Sequence, residues 1–397
     1  MKKLKIAFID YVLEPDKPGR SGLSDVVWDM ARTLVDQGHE AHILASYHTQ
    51  ERPDTRVIVH NFAAPPIGYR NVVGHFWILK RAADIARRLQ PDVIHAPEYV
   101  STAVFATLGI QSPLVMTVPG NVYHRIRYGH SYEWYYLQIL KWAARVSARR
   151  CAGVIAVSQE MKRWWQWTGS LPEQVHWIPY GVDVNRFHPV PFSRTMLGIP
   201  RDAVFLLYVG RFATEKGLLD LLSALTIVRN TANLEKVRVM LIGKGPQFGQ
   251  IQEVITREEL DSVVQIQPWV HQDELSMWYS AADALLLPSH TEAFARVVLE
   301  SLSCGTAVIG SKITGTEDHI HDGINGFLFP AGDSQSLANI LTRIIVNPSI
   351  VRSMRQSNVN YVEKHLTWQR IIERIVSEVY TPLTATRVDA TANPVRS

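Results

Sequence analysis

Residues 284–311 read "ALLLPSHTEAFARVVLESLSCGTAVIGS". An apolar run of strand length ends at Pro288, apolar residues at helical spacing fill residues 294–305 up to the stop at Gly305, and a second apolar run follows. Nearly continuous apolar strands joined through a helix belong to a parallel sheet covered on both faces. Two glutamates break the apolar pattern. Glu292 falls in the connection after the first strand, and Glu300 lies about two turns inside the helix. They are either solvated or aimed at a ligand. Helical side chains lean toward the helix N-terminus, so both carboxylates can face one ligand at the carboxyl end of the sheet.

The same alternation runs through the chain in both directions. Upstream, "FLLYVG", "VRVMLIG" and "VVQIQPW" read as strands, and downstream "GFLFP" does. A turn-rich, proline-punctuated stretch, "YGVDVNRFHPVPF", separates this set from an earlier one: "KIAFID", "AHILA", "VIVHNF", "VIHAP", "LVMTV", "GVIAVS" and "VHWIP". Between the first two of these lies "SDVVWDMARTLVDQG", with Val27, Met30, Ala31 and Leu34 on one face and Gly38 as its stop. The fold class is therefore α/β, with two doubly wound parallel-sheet, Rossmann-like domains expected to face one another across a cleft. The expected boundaries are 1–185 and 186–366, then a final helix over 367–383 and a disordered tail over 384–397.

The chain has 397 residues, a net charge of +4, and no apolar run long enough to cross a bilayer. That charge is too small to imply nucleic acid, although a local excess would suit an anionic ligand or surface. Two cysteines, Cys151 and Cys304, cannot make a disulfide framework, so a cytoplasmic location is expected. "MKKLKIAFID" meets Asp10 too early for a signal peptide and reads as a buried strand.

The chemistry gathers where strands end. "YVGRFATEKGLLDLLSAL" puts Arg211 and Lys216 between a strand and a helix, a place suited to an anion, although a merely solvated loop fits equally well. "LIGKGPQFG" fails the G-x-G-x-x-G spacing, so it does not signal a dinucleotide. Its glycines, Gly245 among them, fit a tight turn where backbone approaches a ligand. Backbone N–H groups at Phe294, Ala295 and Arg296 would favour a phosphate at the helix start. Cations and N–H groups for a diphosphate, with carboxylates for hydroxyls, describe a site for a nucleotide-diphosphate sugar.

These stretches, with "WVHQDELSMWYSAADALLLPSHTEAFARVVLESLSCGTAVI" and "GTEDHIHDGINGFLFPAGD", resemble in order and spacing the donor domain of the family-4 retaining glycosyltransferases of GT-B fold. "RSGLSDVVWDMARTLVDQGHEAHIL", "PDVIHAPEY", "GVIAVSQEM" and "IPYGVDVNRFHP" extend the resemblance over nearly all of the chain. The resemblance implies that Arg211 and Lys216 meet the donor diphosphate, that Glu300 holds the ribose hydroxyls, and that Glu292 lies near the donor sugar. It also implies that Gly22 belongs to a loop closing over the phosphates and that the final helix crosses back to the first domain. The chain departs from the pattern in three places: Ser21 replaces the first of two glycines, Pro119-Gly120 stands where many members have His-Gly, and "QPW" replaces the usual glycine before Trp269.

No Asp-x-Asp occurs, so no metal is expected, nor any cofactor beyond the donor itself. A carbohydrate or lipid-linked acceptor is expected at "NVYHRIRYGHSYEWYY", through Gly120, Tyr123, His124 and Arg125. In the helix that follows, Tyr135, Ile139, Trp142 and Val146 read as a core stripe. Lys80, Arg81, Arg87 and Arg88, on a helix whose Ile78, Ala82, Ile85 and Leu89 face inward, are either solvated or in peripheral contact with an anionic membrane, as are some of Trp164, Trp165 and Trp167. A phosphorylase or epimerase on the same fold, or a non-catalytic nucleotide-sugar binder, are the competing functions.

Overall fold

The computed structural model describes residues 2–13, 22–47, 54–62, 72–118, 134–229, 233–268, 270–292 and 294–385. The chain forms two compact units, Met1–Tyr180 with Trp368–Ser397, and Gly181–Thr367.

Among the described residues, the first unit is built on seven strands: β1 (Lys5–Leu13), β2 (Glu40–Tyr47), β3 (Ile58–Asn61), β4 (Val93–Ala96), β5 (Leu114–Val118), β6 (Gly153–Ala156) and β7 (Val175–Trp177). Their order is β3-β2-β1-β4-β5-β6-β7, and every pairing is parallel. Parallel neighbours need right-handed helical crossovers. The helix Gly22–Asp36 therefore lies on one face, and Val72–Leu89, Tyr99–Thr107, Trp134–Arg150 and Gln159–Thr168 lie on the other. With both faces covered, every residue of β4, β5 and β6 is buried.

The helix Trp134–Arg150 corrects the sequence reading. Trp142 is 47% exposed, and the inward face is Leu140, Ala143, Ala144, Ser147 and Ala148. Small side chains bring this helix close to Tyr99–Thr107, where the Ser147 hydroxyl donates to the Tyr99 carbonyl. A tryptophan on that side would hold the two helices apart.

The last helix, Trp368–Ile375, continues into a π-helical turn, Val376–Tyr380, and packs against Gly22–Asp36. Tyr380, fully buried, hydrogen-bonds His95 Nδ1, and His95 Nε2 lies 2.7 Å from Thr117 Oγ1. Burial pushes His95 down to about 3, so its ring is neutral. Helical backbone runs on through residue 385, and Thr384 is buried. The ordered chain thus enters the expected tail, because Leu383 packs over Gly153. Residues 386–397 lie outside the described residues.

The second unit repeats the topology with β8 (Val204–Val209), β9 (Val237–Ile242), β10 (Val264–Gln267), β11 (Ala284–Leu287), β12 (Ala307–Ser311) and β13 (Gly326–Phe329), ordered β10-β9-β8-β11-β12-β13 and all parallel. The chain steps one way from β8 and returns to start β11 on its other side. Open sheets of this kind bind ligands at the carboxyl ends beside that reversal. Asp283 anchors the opposite end: buried just before β11, it accepts from Phe205 N at 2.9 Å and pairs with Arg194 at 2.6 Å and Arg352 at 2.7 Å. Both cysteines are buried and unpaired. Among the described residues, no helix is long and apolar enough to cross a membrane.

Candidate functional site

Three connections leave the carboxyl ends of the adjacent strands β9, β8 and β11. The one after β8 makes a single 3-10 turn, Thr214–Lys216, and closes at Gly217 with φ 65. A Cβ on Gly217 would sit 2.0 Å from the Pro288 carbonyl oxygen, so the missing side chain lets this loop lie on the end of β11. His290 N donates to the Glu215 carbonyl at 2.9 Å and ties the two loops again. Lys216 Nζ thereby comes within 2.6 Å of Glu292 Oε1, a partner 76 residues away in sequence. The Ser289 hydroxyl donates to the same carboxylate oxygen at 2.8 Å.

Arg211, more exposed, is ion-paired with Glu215. Burial raises the Glu215 carboxyl, but backbone hydrogen bonding and the Arg211 guanidinium outweigh it and hold the group below the ordinary range. Beneath the loop, the buried Tyr208 hydroxyl donates to the Arg211 carbonyl at 3.0 Å. Burial first, then the nearby Glu292 and Glu215 carboxylates, raise the Tyr208 phenol, so it stays protonated. The loop after β9 lies against these residues. A Cβ would meet the Gly210 carbonyl oxygen at 1.9 Å from Gly243 and the Phe212 carbonyl oxygen at 2.3 Å from Gly245. Phe212 N donates to Lys244 O, and Gln247 N to Phe212 O, each at 3.0 Å.

The helix carrying Glu300 spans Arg296–Ser303 and so begins two residues later than the sequence suggests. Ala295, at φ −88 and ψ 87, is not helical, and Phe294 packs edge-on against His319 with ring centres 5.1 Å apart. Burial lowers the pKa of His319 to about 4, which leaves it a neutral wall for that ring. Glu300 lies in the second turn and is buried. Its Oε2 accepts from the Tyr279 hydroxyl at 2.9 Å, and its Oε1 is 3.9 Å from Arg296 Nε.

Arg211, Lys216, Gly245, Glu292, Phe294, Ala295, Arg296 and Glu300 thus all belong to the carboxyl-end loops and helix of one sheet. Gly22 opens the helix Gly22–Asp36 in the other unit. Ser21, Gly120, Tyr123, His124, Arg125 and Trp269 lie outside the described residues. Glu215, Ser289, Tyr279 and His319 were not singled out from sequence. All four sit inside stretches already quoted, but the contacts of Tyr279 and His319 depend on packing that no spacing reveals. Among the described residues, no group of three or more His, Cys, Asp or Glu side chains is arranged to hold a metal ion.

Two family profiles match the chain without overlap: residues 20–186 fit "Glycosyltransferase Family 4", and residues 190–364 fit "Glycosyl transferases group 1". This chain belongs to the family-4 glycosyltransferases. Its relatives include the D-inositol 3-phosphate glycosyltransferase of Thermomonospora curvata, 31% identical over 60% of this chain and 58% of that protein. A Catenulispora acidiphila protein, D-inositol 3-phosphate glycosyltransferase 1, is 26% identical over 94% of each. For several such relatives the match spans about half of their length. Among solved structures, sucrose-phosphate synthase from Thermosynechococcus elongatus superposes with TM-score 0.81 at 22% identity, covering 97% of this chain and all of that one. Anabaena HepE in complex with UDP and glucose gives TM-score 0.76 at 21% identity, over 95% of this chain and all of the other. The family-4 chain therefore has the GT-B fold.

Proposed function

We propose that this chain transfers a hexose from a nucleotide-diphosphate sugar to a hydroxyl acceptor with retention of anomeric configuration, in polysaccharide or glycolipid assembly. One observation carries the reading: the loops after β8 and β11 meet beside the strand-order reversal, with Lys216 Nζ 2.6 Å from Glu292 Oε1. A diphosphate arriving there competes with Glu292 for Lys216 and with Glu215 for Arg211. The two cations then take up the negative charge that grows on the leaving diphosphate, an electrostatic role in a preorganised site. Glu292, released from Lys216, accepts hydrogen bonds from the sugar hydroxyls, and Glu300 accepts them from the ribose. Gly245 and the amides of Phe294, Ala295 and Arg296 approach the phosphates, and the resemblance assigns Gly22 a phosphate contact as well. The acceptor hydroxyl, oriented by Gly120, Tyr123, His124 and Arg125, attacks on the face that the diphosphate leaves; its oxygen bonds the anomeric carbon as the bond to the diphosphate breaks, and its proton passes to the departing phosphate oxygen. No carboxylate is assigned as a nucleophile, and no glycosyl-enzyme intermediate is proposed. With no Asp-x-Asp motif, transfer proceeds without a metal and survives chelation by EDTA.

Solved complexes of HepE contain UDP and UDP-glucose, and relatives are named for an inositol phosphate, which sets the order of testing. Nucleotide sugars carrying uracil, adenine or guanine are to be screened by calorimetry and by donor hydrolysis, then offered polyol phosphates and glycolipids. Binding of one donor with slow hydrolysis, accelerated by an acceptor, is the expected result. Conversion of donor alone to its epimer, or consumption of inorganic phosphate as acceptor, would indicate the competing enzymes. Binding without turnover would indicate a non-catalytic partner.

A second contact follows from the exposed side of the first unit. Phe76 is 49%, Trp142 47% and Trp167 77% exposed, on helices that also expose Lys80, Arg81, Arg145, Arg149 and Arg163. Aromatic rings among cations suit the interface of an anionic bilayer, here the cytoplasmic face. Retention by phosphatidylglycerol vesicles at low salt, lost at high salt, is expected; no retention removes this contact.

A further inference from the structure

Glu300 does not stand alone. Its Oε2 receives the hydroxyl proton of Tyr279 at 2.9 Å, from a side chain that is itself fully buried on the helix Leu275–Ala281. The Tyr279 ring is locked: it packs against Phe187 with centres 6.2 Å apart, and the Tyr279 carbonyl accepts from the Thr306 hydroxyl. Burial, and then the Glu300 charge beside it, raise the phenol well above its ordinary range, so Tyr279 keeps its proton and is the donor in this bond. Such charge-assisted bonds are among the stronger ones available in a protein. The bond consumes one carboxylate oxygen and fixes the plane of the group. The other oxygen, Oε1, lies 3.9 Å from Arg296 Nε.

We infer that Tyr279 is a positioning residue for the donor: by holding Glu300 Oε2 it aims Oε1 at the ribose hydroxyls and thereby sets the preference for a ribonucleotide. This rests on the proposal that Glu300 grips the ribose. It adds a residue that touches no substrate, at a position where a phenylalanine would fill the same space.

The test uses the full chain, with UDP, ADP and GDP titrated by calorimetry. The tightest binder is then compared with its 2′,3′-dideoxy counterpart in wild type, Glu300→Ala, Tyr279→Phe and the double variant. Wild type is expected to prefer the ribose form by at least about tenfold, and Glu300→Ala to bring the two forms level. Tyr279→Phe is expected to reduce the preference roughly five- to tenfold, the share of a charge-assisted hydrogen bond, while the dideoxy form binds within about twofold of wild type. In the Glu300→Ala background, Tyr279→Phe is expected to change neither affinity further. An unaltered preference in Tyr279→Phe overturns the inference alone. So does equal weakening of both nucleotides, or a further loss in the double variant, since either assigns Tyr279 a general structural role. No binding of any nucleotide, no ribose preference in wild type, or an unaltered preference in Glu300→Ala overturns the ribose assignment and the inference together.

Discussion

Gly217 is the residue through which backbone geometry reaches the charged groups. Replacing it with alanine places a Cβ 2.0 Å from the Pro288 carbonyl oxygen at a position with φ 65. A left-handed alanine costs about 1–2 kcal/mol, and forced overpacking against backbone about 1–3 kcal/mol more. Restoring an ordinary 3.4 Å contact from 2.0 Å parts the two loops by roughly 1.4 Å. The same displacement would carry Lys216 Nζ and Glu292 Oε1 from 2.6 Å to beyond hydrogen-bonding distance. Gly323→Ala is the matched control, because Gly323 has φ 74 and nothing within 4 Å of its added Cβ. Urea unfolding of the full chain is expected to show Gly217→Ala less stable than Gly323→Ala by about 1–3 kcal/mol, and donor hydrolysis to fall only in the former. Equal stability of the two variants, or full activity in Gly217→Ala, would refute the claim that the bare glycine holds the loops together.

Lys216→Ala is expected to cut turnover at least roughly hundredfold at saturating donor, and near-normal transfer would remove Lys216 from the reaction. Asp283→Asn, which leaves Arg194 and Arg352 facing a neutral amide, is expected to destabilise the chain by about 2–4 kcal/mol, less than a fully buried pair because Arg352 is partly exposed. A loss below about 1 kcal/mol in the urea midpoint analysis would contradict that account. His95 titrates near 3 in the fold against 6.5 ordinarily, so the unfolded chain takes up a proton that the folded one refuses. Stability is therefore full above the unfolded value and declines as pH falls toward the folded one, by about 1.4 kcal/mol per pH unit for each such histidine, with His319 adding a second down to about 4. His95→Gln, which keeps groups to bond Tyr380 and Thr117, is expected to make that acid slope shallower by one proton; an unchanged slope between pH 6 and 4 would refute it.

The strands were legible because burial on both faces of a parallel sheet demands continuous apolar runs, and "ALLL" and "GVIA" are buried at every position. The inward face of the helix Gly22–Asp36 was legible for a related reason, with Val27, Met30, Ala31 and Leu34 all buried. Trp142 misled because size is a poor guide where two helices approach closely; there alanines and Ser147 make the contact. The start of the helix at Arg296 was missed because Phe294 has ordinary helical character but is drawn onto His319, whose position depends on the loop after β12. The motifs around Arg211, Lys216, Glu292 and Glu300 stood out in sequence, yet the 2.6 Å approach of Lys216 to Glu292 follows from β11 lying beside β8. No spacing along the chain reports a neighbour that arrives 76 residues later.

The seven-stranded unit receives its last helix from the far end of the polypeptide. During synthesis, a nascent chain released as far as residue 367 already owns every strand of both sheets, yet Tyr380 has not reached His95 and the outer side of Gly22–Asp36 is bare. The six-stranded unit can therefore mature on the ribosome while its elder neighbour waits for the segment from Trp368 to Tyr380. Nonsense mutations just ahead of Trp368 are expected to leave a protease-resistant C-terminal fragment behind a readily digested N-terminal one.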